Sequence, residues 1–447
     1  MTRTARSPLL TAAVAALLLV IAIAARPAAA TRITPVTSPG GITAWLVQEK
    51  SIPLIALRFA FTGGAALDPA DKAGLAHMVS GLLDEGAGDL DATAFQTRVD
   101  SLAIRMSFSA GRDLFSGSLQ TLSENRSEAF SLLGLALKAP RFDADPVERI
   151  RRQAQASLLR NEQRPHYIAG RTLYRNLFGD HPYGRNRRGT AESIAGISAD
   201  DLRQFVATRF TRDRLIVGVV GDIAPEELRM ALDGIFGDLP ATSRLQPVAE
   251  ATVATGGRTI VIEKPVPQSA IYIGGPGLKR SDPDWYTAYL LNYVLGGGGL
   301  TSRLNDTIRE KRGLVYSVGS YLQPMRAAGL FVGTAGTNNA SAGETVRLFR
   351  EQLRDVRENG ITAAELQAAK TFINGSFPLR LTSSRGIAAL LVAIQRSGLG
   401  IDYIERRPDY YNAITQADVK RVAARLLDPS VMTTVIVGQP ENLPAGG

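Results

Sequence analysis

Residues 296–321, GGGGLTSRLNDTIREKRGLVYSVGSY, carry the clearest local pattern in the chain. Four glycines free the backbone from Cβ sterics just before a segment that predicts a helix, with Ser302 as a candidate N-cap. Leu304 and Ile308 lie one helical turn apart on one face of that helix. Gly313 then ends the helix, and the run VYSVGSY predicts a strand. The stretch therefore predicts a helix-to-strand turn preceded by a glycine-rich loop.

Two side chains flank this turn, Arg309 near the end of the helix and Tyr316 in the strand. A guanidinium and a phenol placed seven positions apart across such a turn can both reach a backbone carbonyl of a bound peptide. Arg309 and Tyr316 are therefore candidate substrate-binding residues. The alternative is that Arg309 is a solvated helix residue and that Tyr316 is a strand residue half in the core.

The second half of the chain repeats the order of the first at an offset of roughly 215 residues. Asp68-Pro69 recurs as Asp282-Pro283, and LFSGSLQ at residues 114–120 recurs as LFVGTAG at residues 330–336. Between the halves, residues 239–257 are rich in Pro, Ala, Thr and Gly, which favours a linker. The chain is therefore expected to contain a duplicated unit.

We expect two homologous α+β domains of about 200 residues each, joined by that linker. The first covers residues 31–238 and the second covers residues 258–447. Each is predicted to be an antiparallel sheet with helices on one face. In the first domain, alternation of apolar residues predicts strands near residues 41–48 and 53–61, and apolar residues at helical spacing predict a helix over residues 73–83.

The composition of the 447-residue chain, with 45% hydrophobic and 21% charged residues, is typical of a globular protein. Its formal charge of +9 becomes +6 if the three arginines of the N-terminal segment are removed, since 9 − 3 = 6. Charge this dilute, without a cluster of Lys and Arg interleaved with aromatics, argues against nucleic-acid binding. The absence of cysteine excludes disulfides, thiol catalysis and lipid attachment through an N-terminal cysteine.

Residues 1–30 have the pattern of a secretory signal peptide. Arg3 and Arg6 precede an apolar run over residues 9–25, and a small-residue A-x-A site ends near Ala30. We therefore expect cleavage there, a periplasmic location and no stable membrane span in the mature chain. The alternative is an uncleaved N-terminal anchor, because an apolar run of about 17 residues lies at the short end for a membrane span.

The motif around Arg309 resembles one in the C-terminal half of the pitrilysin and mitochondrial-processing-peptidase family of zinc peptidases. That motif is a Gly-rich turn, S-R-L, and then R-E-K-x-G-L-x-Y-S. This chain matches it at ten positions, Ser302, Arg303, Leu304, Arg309, Glu310, Lys311, Gly313, Leu314, Tyr316 and Ser317. The resemblance covers nearly the whole mature chain, including an HPYGR turn at residues 181–185. It implies that Arg309 and Tyr316 hold the substrate backbone and offset the charge of the developing oxyanion.

The same resemblance implies that the family's zinc site is degenerate here. Catalytic members carry H-x-x-E-H on a helix, in which the two histidines bind zinc and the glutamate is the general base. This chain keeps His77 but has Ser80 in the glutamate position and Gly81 in the second histidine position. The third ligand, a glutamate on a later helix, aligns with Ser157. We therefore expect this chain to bind no metal and to be inactive by itself.

The sequence contains no competing catalytic motif. It has no G-x-S-x-G nucleophile elbow, no P-loop and no G-x-G-x-x-G, and the four glycines are not followed by a phosphate-binding lysine. The motifs therefore leave peptide hydrolysis, or peptide binding without hydrolysis, as the functions to weigh.

Some bacterial members of the resembled family are heterodimers, in which one subunit carries the zinc motif and the other carries a degenerate motif and the Arg/Tyr pair. The resemblance therefore implies that this chain is the non-catalytic subunit of an exported heterodimeric zinc metallopeptidase. Its expected partners are a homologous subunit with an intact H-x-x-E-H, which would hold the zinc, and peptide substrates. The alternative is a peptide- or protein-binding scaffold of the same fold with no proteolytic role.

Overall fold

The structure is a computed structural model that describes residues 32–443, so the predicted signal peptide lies outside the described residues. Within that range no single helix is both long and apolar enough to cross a membrane. Two consecutive segments, Ala363–Leu381 and Ser384–Arg396, reach that length and hydropathy only when taken together, and they are bent by 116°.

The strands form two sheets, one in each half of the chain. The first sheet contains β1 (Thr34–Thr37), β2 (Thr43–Gln48), β3 (Leu54–Thr62), β4 (Arg105–Ala110), β5 (Leu114–Leu122) and β6 (Leu215–Gly221). The second sheet contains β7 (Thr259–Glu263), β8 (Gln268–Pro276), β9 (Val315–Pro324), β10 (Gly329–Asn338) and β11 (Thr433–Gly438).

The two sheets share one topology. The spatial order β2-β6-β3-β5-β4 in the first sheet corresponds to β7-β11-β8-β10-β9 in the second, and β1 extends the first sheet beside β2. All neighbours are antiparallel except β2 with β6 and β7 with β11, which are parallel. The predicted α+β fold with two related halves is therefore confirmed, with one parallel pair in each sheet that the sequence did not predict.

The helices of the first half are α1 (Leu75–Ser80), α2 (Ala92–Ser101), α3 (Arg126–Lys138), α4 (Ala144–Asn161), α5 (Pro165–Phe178), α6 (Ala191–Ala195), α7 (Ala199–Arg209) and α8 (Pro225–Phe236). Those of the second half are α9 (Trp285–Asn292), α10 (Ala342–Asn359), α11 (Ala363–Gly375), α12 (Ser384–Arg396), α13 (Tyr403–Asn412) and α14 (Gln416–Leu426).

The predicted linker, residues 239–257, contains no helix or strand, but it is hydrogen-bonded to the rest of the chain. Ala251 N–H donates to Ala327 O and Ala254 N–H donates to Leu177 O, both at 2.9 Å.

Each half builds a core between one face of its sheet and its own helices. In the first half, Phe59 on β3 meets Phe236 on α8 edge-on, with ring centroids 5.6 Å apart. In the second half, Phe331 on β10 and Phe349 on α10 are each only 1% exposed and belong to one apolar cluster. Burying a side chain of this size contributes about 1.5–3 kcal/mol, so these clusters are the main stabilising feature of each half.

The opposite face of each sheet is covered by a helix from the other half. Leu173 on α5 lies so close to the second sheet that a Cβ on Gly274 would come within 2.8 Å of it. Reciprocally, Leu391 on α12 lies 2.9 Å from the place a Cβ would take on Gly218 in the first sheet. The sequence analysis predicted helices on one face of each sheet, whereas the structure has helices on both faces. The second covering helix comes from the other half of the chain, so its position could not be predicted from neighbouring residues. The two halves are therefore interlocked.

A buried hydrogen-bonded joint also connects the halves. Tyr183, in the HPYGR turn, is fully buried. Its hydroxyl donates to Asp113 Oδ1 at 2.5 Å and accepts from the backbone N–H of Ala327 at 3.0 Å. The other oxygen of Asp113 accepts from the Arg326 N–H at 3.0 Å. Because Asp113 lies in the β4–β5 turn and Ala327 in the β9–β10 turn, one phenol joins the corresponding hairpin turns of both halves.

Candidate functional site

The glycine-rich loop is packed firmly against strand β9. A Cβ on Gly296 would lie 2.5 Å from Ser320 Oγ, so this position requires glycine, and Gly299 has a φ of +64°, which also favours glycine. Asn305 is buried and its amide donates to Val318 O on β9 at 2.9 Å. The loop and the following helix therefore form a fixed base for the predicted turn.

The helix after the glycines differs from the predicted one in two respects. Asn305–Glu310 wind as a π-helix, a wide turn that is often found at functional sites. Ser302 precedes the helix with an extended backbone, at φ −78° and ψ 152°, as an N-cap does. However, its hydroxyl donates to Gly299 O at 2.7 Å and accepts from the side-chain amide of Asn305 at 3.1 Å, and it accepts from no backbone N–H of residues 32–443.

Arg303 of the S-R-L motif holds this helix in place. Its guanidinium donates to both carboxylate oxygens of Glu365 at 2.6 and 2.7 Å and to Asp355 at 2.9 Å. The hydrogen bond from Arg303 is the main reason that the pKa of Glu365 falls to about 2. Because Glu365 lies on α11 and Asp355 on α10, Arg303 is a positioning residue that ties the motif helix to two neighbouring helices.

Arg309 and Tyr316 lie on either side of a turn closed by two backbone hydrogen bonds. Gly313, with a φ of +64°, donates to Arg309 O at 2.8 Å, and Leu314 N–H donates to Ile308 O at 3.1 Å. This is the usual way for a helix to end at a left-handed glycine. Both side chains, Arg309 and Tyr316, are exposed, and neither has a hydrogen-bond or ion-pair partner among residues 32–443.

A β-bulge sets the direction of Tyr316. Where β9 pairs with β10, Val315 faces Thr337 and Ser317 faces Gly336, which leaves Tyr316 as the extra residue. The bulge turns Tyr316 and Ser317 together away from the core, and Tyr316 is 61% exposed. Tyr316 therefore does not belong to the core of the second half, and its hydroxyl is available to a ligand.

The helix that carries the degenerate metal motif is shorter than predicted. α1 spans Leu75–Ser80, whereas the sequence predicted a helix over residues 73–83. Gly74 precedes it with a left-handed φ of +95°, and Gly81 ends it with φ −96° and ψ 0°. The apolar residues after Ser80 that made the predicted helix longer lie in hydrogen-bonded turns. Gly81, at the second histidine position of the motif, therefore lies beyond the helix.

The side chains at the metal-motif positions do not fit a zinc site. Ser80 Oγ donates back to His77 O at 2.8 Å, and Ser157 on α4 accepts a long hydrogen bond from Asn161 at 3.4 Å. Zinc requires three or four nitrogen, sulfur or carboxylate donors at about 2.0–2.3 Å. Within residues 32–443 no three His, Cys, Asp or Glu side chains come together in a way that could hold a metal ion.

Positive charge surrounds the one remaining histidine of the motif. Burial lowers the pKa of His77, and the guanidinium groups of Arg188 and Arg187 lower it further. The same charges disfavour a metal cation at this position. The sequence analysis did not single out these arginines, although the run RNRR directly after the HPYG turn was a visible signal.

A buried ion pair positions α1. Asp68 Oδ2 accepts from two backbone N–H groups at the start of the helix at 3.1 and 3.2 Å, and Asp68 lies 2.9 Å from Arg209 on α7. Burial raises the pKa of Asp68 to about 6, against the opposing effect of Arg209. In the second half, Asp282 and Arg425 occupy the corresponding positions of the repeat and pair at 2.8 Å. The repeat therefore extends to a specific ion pair.

Comparison with known proteins places the chain in a family. Residues 196–373 match the family described as the peptidase M16 inactive domain. The non-peptidase homolog YmxG of Helicobacter pylori is 31% identical over 335 residues, which are 74% of this chain and 77% of that protein. An uncharacterized zinc protease of Streptomyces coelicolor is 27% identical over 376 residues, which are 81% of this chain and 80% of that protein.

A solved structure agrees with these sequence matches. The crystal structure of a peptidase M16 inactive domain from Pseudomonas fluorescens aligns with a TM-score of 0.86 at 28% identity, over 92% of this chain and 98% of that one. The pitrilysin-type resemblance of the motifs is thus confirmed, and the chain belongs to the peptidase M16 family.

Proposed function

We propose that this protein is the non-catalytic subunit of an exported, heterodimeric zinc metallopeptidase of the periplasm. On this proposal it supplies Arg309 and Tyr316 to peptide substrates, and the zinc lies on a homologous partner subunit with an intact H-x-x-E-H. The observation that carries the proposal is the contrast between the two candidate sites. Among residues 32–443, Arg309 and Tyr316 are exposed beside a fixed turn and have no hydrogen-bond or ion-pair partner, whereas His77 belongs to no group of three side chains that could hold a metal ion.

The family relationship supports the absence of catalysis by this chain alone. The matched family is described as an inactive domain, and the Helicobacter pylori relative is named a non-peptidase homolog. The residues agree with this inference, because Ser80 replaces the general base and its hydroxyl is engaged by a backbone carbonyl. A serine in that environment does not activate water for attack on a peptide bond.

The geometry around Arg309 and Tyr316 suits binding of a peptide carbonyl. A guanidinium and a phenol both donate hydrogen bonds, and donors fixed before the reaction stabilise developing oxyanion charge without reorganising. Arg303 and Gly313 provide that rigidity here, the first by its clamp to two carboxylates and the second by closing the turn. The role of this chain is thus to orient substrate and offset negative charge.

The test begins with purification of the native protein from the periplasm and identification of co-purifying chains by mass spectrometry. We expect a second M16 chain with an intact H-x-x-E-H. In the reconstituted pair, Arg309→Ala and Tyr316→Phe should each lower kcat/KM by about a hundredfold or more, the usual effect of losing one oxyanion donor. Both variants should assemble and melt as the wild type does, because both side chains are exposed.

Arg312→Ala is the matched control. Arg312 is an exposed arginine of the same turn, and its guanidinium donates to Thr307 O at 2.9 Å. It should leave kcat/KM unchanged. Unchanged kinetics for Arg309→Ala and Tyr316→Phe in an active complex would remove their substrate-binding role. Isolation of the protein without any M16 partner would instead favour the scaffold alternative.

A further inference from the structure

A cavity of about 410 Å³ lies between the two halves of the chain, where α5 crosses the second sheet. Its fourteen lining residues come from the β4–β5 turn, the end of α4, the residue Arg164 just before α5, α5 itself, residues 185–188 and strands β8 and β9. Six of them are arginines: Arg112, Arg164, Arg171, Arg185, Arg187 and Arg188. Four are tyrosines: Tyr167, Tyr174, Tyr272 and Tyr321. None is acidic.

Three of the six guanidinium groups have no acceptor in the part of the chain that the structure describes. Arg164, Arg187 and Arg188 make neither an ion pair nor a side-chain hydrogen bond to any residue between 32 and 443. Arginine side chains crowded together repel one another, and the repulsion is relieved when an anion binds between them. The cavity thus has a strong unmatched positive charge.

The other three arginines are held mainly by neutral groups. Arg185 donates to a backbone carbonyl at 3.0 Å, and the guanidinium of Arg112 lies 3.9 Å from the centre of the Tyr174 ring. Of the six arginines, Arg171 is the only one with a carboxylate partner in the described part of the chain: Glu162, at 3.4 Å, and both side chains are exposed. Exposed pairs of this kind contribute little, so one carboxylate does not neutralise the cavity.

Three phenols add neutral hydrogen-bond donors. The hydroxyls of Tyr174, Tyr272 and Tyr321 have no hydrogen-bond partner in the described part of the chain. Burial raises the pKa of all three tyrosines, and Tyr174 raises the pKa of the other two further. The phenols therefore stay protonated at neutral pH and can donate to an anion.

The cavity exists because the halves interlock. A Cβ on Gly170 of α5 would lie 3.4 Å from the Tyr272 ring on β8, and His166 Nε2 is 3.5 Å from the place a Cβ would take on Gly336 of β10. The arginines also lower the pKa of two histidines. For His166 the causes are burial and then Arg164, and for His77 they are burial and then Arg188 and Arg187. Side chains from both halves thus contribute to one positive field.

We infer that this cavity binds a small polyanion that carries two or more phosphate or carboxylate groups. Guanidinium forks match the oxygen pairs of either group, and the phenols supply further donors. The volume suits a small molecule rather than a folded partner. The site goes beyond the proposed peptidase role and does not rest on it, because Arg309 and Tyr316 are not among its lining residues.

The experiment is isothermal titration calorimetry of the purified full-length mature protein, in a phosphate-free buffer at low ionic strength. Inorganic pyrophosphate and citrate are titrated separately, so that phosphate and carboxylate ligands are distinguished. We expect one equivalent of at least one of them to bind. Arg187→Gln should weaken that binding about tenfold, the effect of losing one hydrogen bond to a charged group. Arg187 is exposed, so this variant should fold normally.

Arg354→Gln is the matched control, because Arg354 is an exposed arginine on α10 that has no ion-pair partner among residues 32–443 and does not line the cavity. It should bind the anion as tightly as the wild type does. Binding of pyrophosphate alone or of citrate alone would identify the ligand class. Failure of both anions to bind would overturn the inference. Equal weakening of anion binding by Arg187→Gln and Arg354→Gln would also overturn it, because the anion would then be attracted by the overall positive charge of the protein and not by this cavity.

Discussion

Replacing Tyr183 by phenylalanine should loosen the joint between the two halves without disturbing their cores. The ring keeps its place, packed edge-on against Phe178 with centroids 5.4 Å apart. Two interactions disappear: the hydrogen bond to the Asp113 carboxylate, worth about 1.5–3 kcal/mol, and the acceptor for the buried Ala327 N–H, whose loss costs about 1–3 kcal/mol. We expect the free energy of unfolding to fall by roughly 3–5 kcal/mol.

The assay is urea unfolding followed by fluorescence, and the chain has one tryptophan in each half for this purpose. Trp45 on β2 packs in the cluster that contains α12, and Trp285 on α9 is only 8% exposed in the second core. Trp45→Phe and Trp285→Phe leave a single reporter for one half at a time. Because the halves interlock, both reporters should give coincident transitions, and Tyr183→Phe should lower both midpoints together.

Tyr316→Phe is the control, since it removes the hydroxyl of an exposed side chain that has no hydrogen-bond partner within the described range of the chain. It should change the free energy of unfolding by less than about 0.5 kcal/mol. If Tyr183→Phe also stays within that margin, the buried joint does not stabilise the protein as its geometry indicates, and the reasoning is refuted. A shift seen by one tryptophan only would show that the halves unfold separately.

Metal analysis of the purified mature chain should find no stoichiometric zinc and no peptidase activity sensitive to a chelator; one zinc per chain would contradict the degenerate motif. The double variant Ser80→Glu/Gly81→His should still lack robust peptidase activity, and it should be less stable by about 1–3 kcal/mol, because a Cβ at Gly81 already lies 3.3 Å from Ile150 Cγ2. Burial raises the folded-state pKa of Asp68 from 3.8 to about 6, so its contribution to stability is complete below about pH 4 and is lost as the pH rises through about 6. The difference in free energy of unfolding between wild type and Asp68→Asn should therefore fall by up to roughly 3 kcal/mol as the pH rises from about 4 to above about 6. A difference that stays constant with pH would contradict the buried position of this carboxylate beside Arg209.

Predictions based on local patterns were close to the structure where neighbouring residues decide the conformation. Alternation of apolar residues predicted a strand near residues 53–61, and β3 spans Leu54–Thr62. The turn at Gly313 was predicted from a single glycine between a helical pattern and a strand pattern, and its left-handed φ agrees. The predicted helix over residues 73–83 was too long. The apolar residues keep their helical spacing beyond Ser80, and this spacing alone does not show that Gly81 ends the helix in a turn.

The bulge at Tyr316 shows a limit of the sequence analysis. Alternation along VYSVGSY does not reveal that one residue of β9 lacks a partner on β10, because register depends on both strands. Tyr316 could therefore be placed in a strand from the sequence, but its exposure could not be derived. The ion pairs of Arg303 could not be predicted from the sequence either, because its partners Asp355 and Glu365 lie on helices that follow much later in the chain.

The sequence by itself determined the repeated order of elements, the presence of Ser80 in the general-base position and Gly81 in the second histidine position of the motif, and the turn that separates Arg309 from Tyr316. These features depend on residue type and on neighbours within a few positions, where local sterics and hydrogen bonding decide. Only the tertiary structure decided that α5 and α12 cross to the opposite sheets, that Tyr183 joins the two hairpin turns, and that six arginines meet around one acid-free cavity. Those arrangements arise from contacts between segments far apart in the chain, and packing of the two halves, rather than any local preference, selects them.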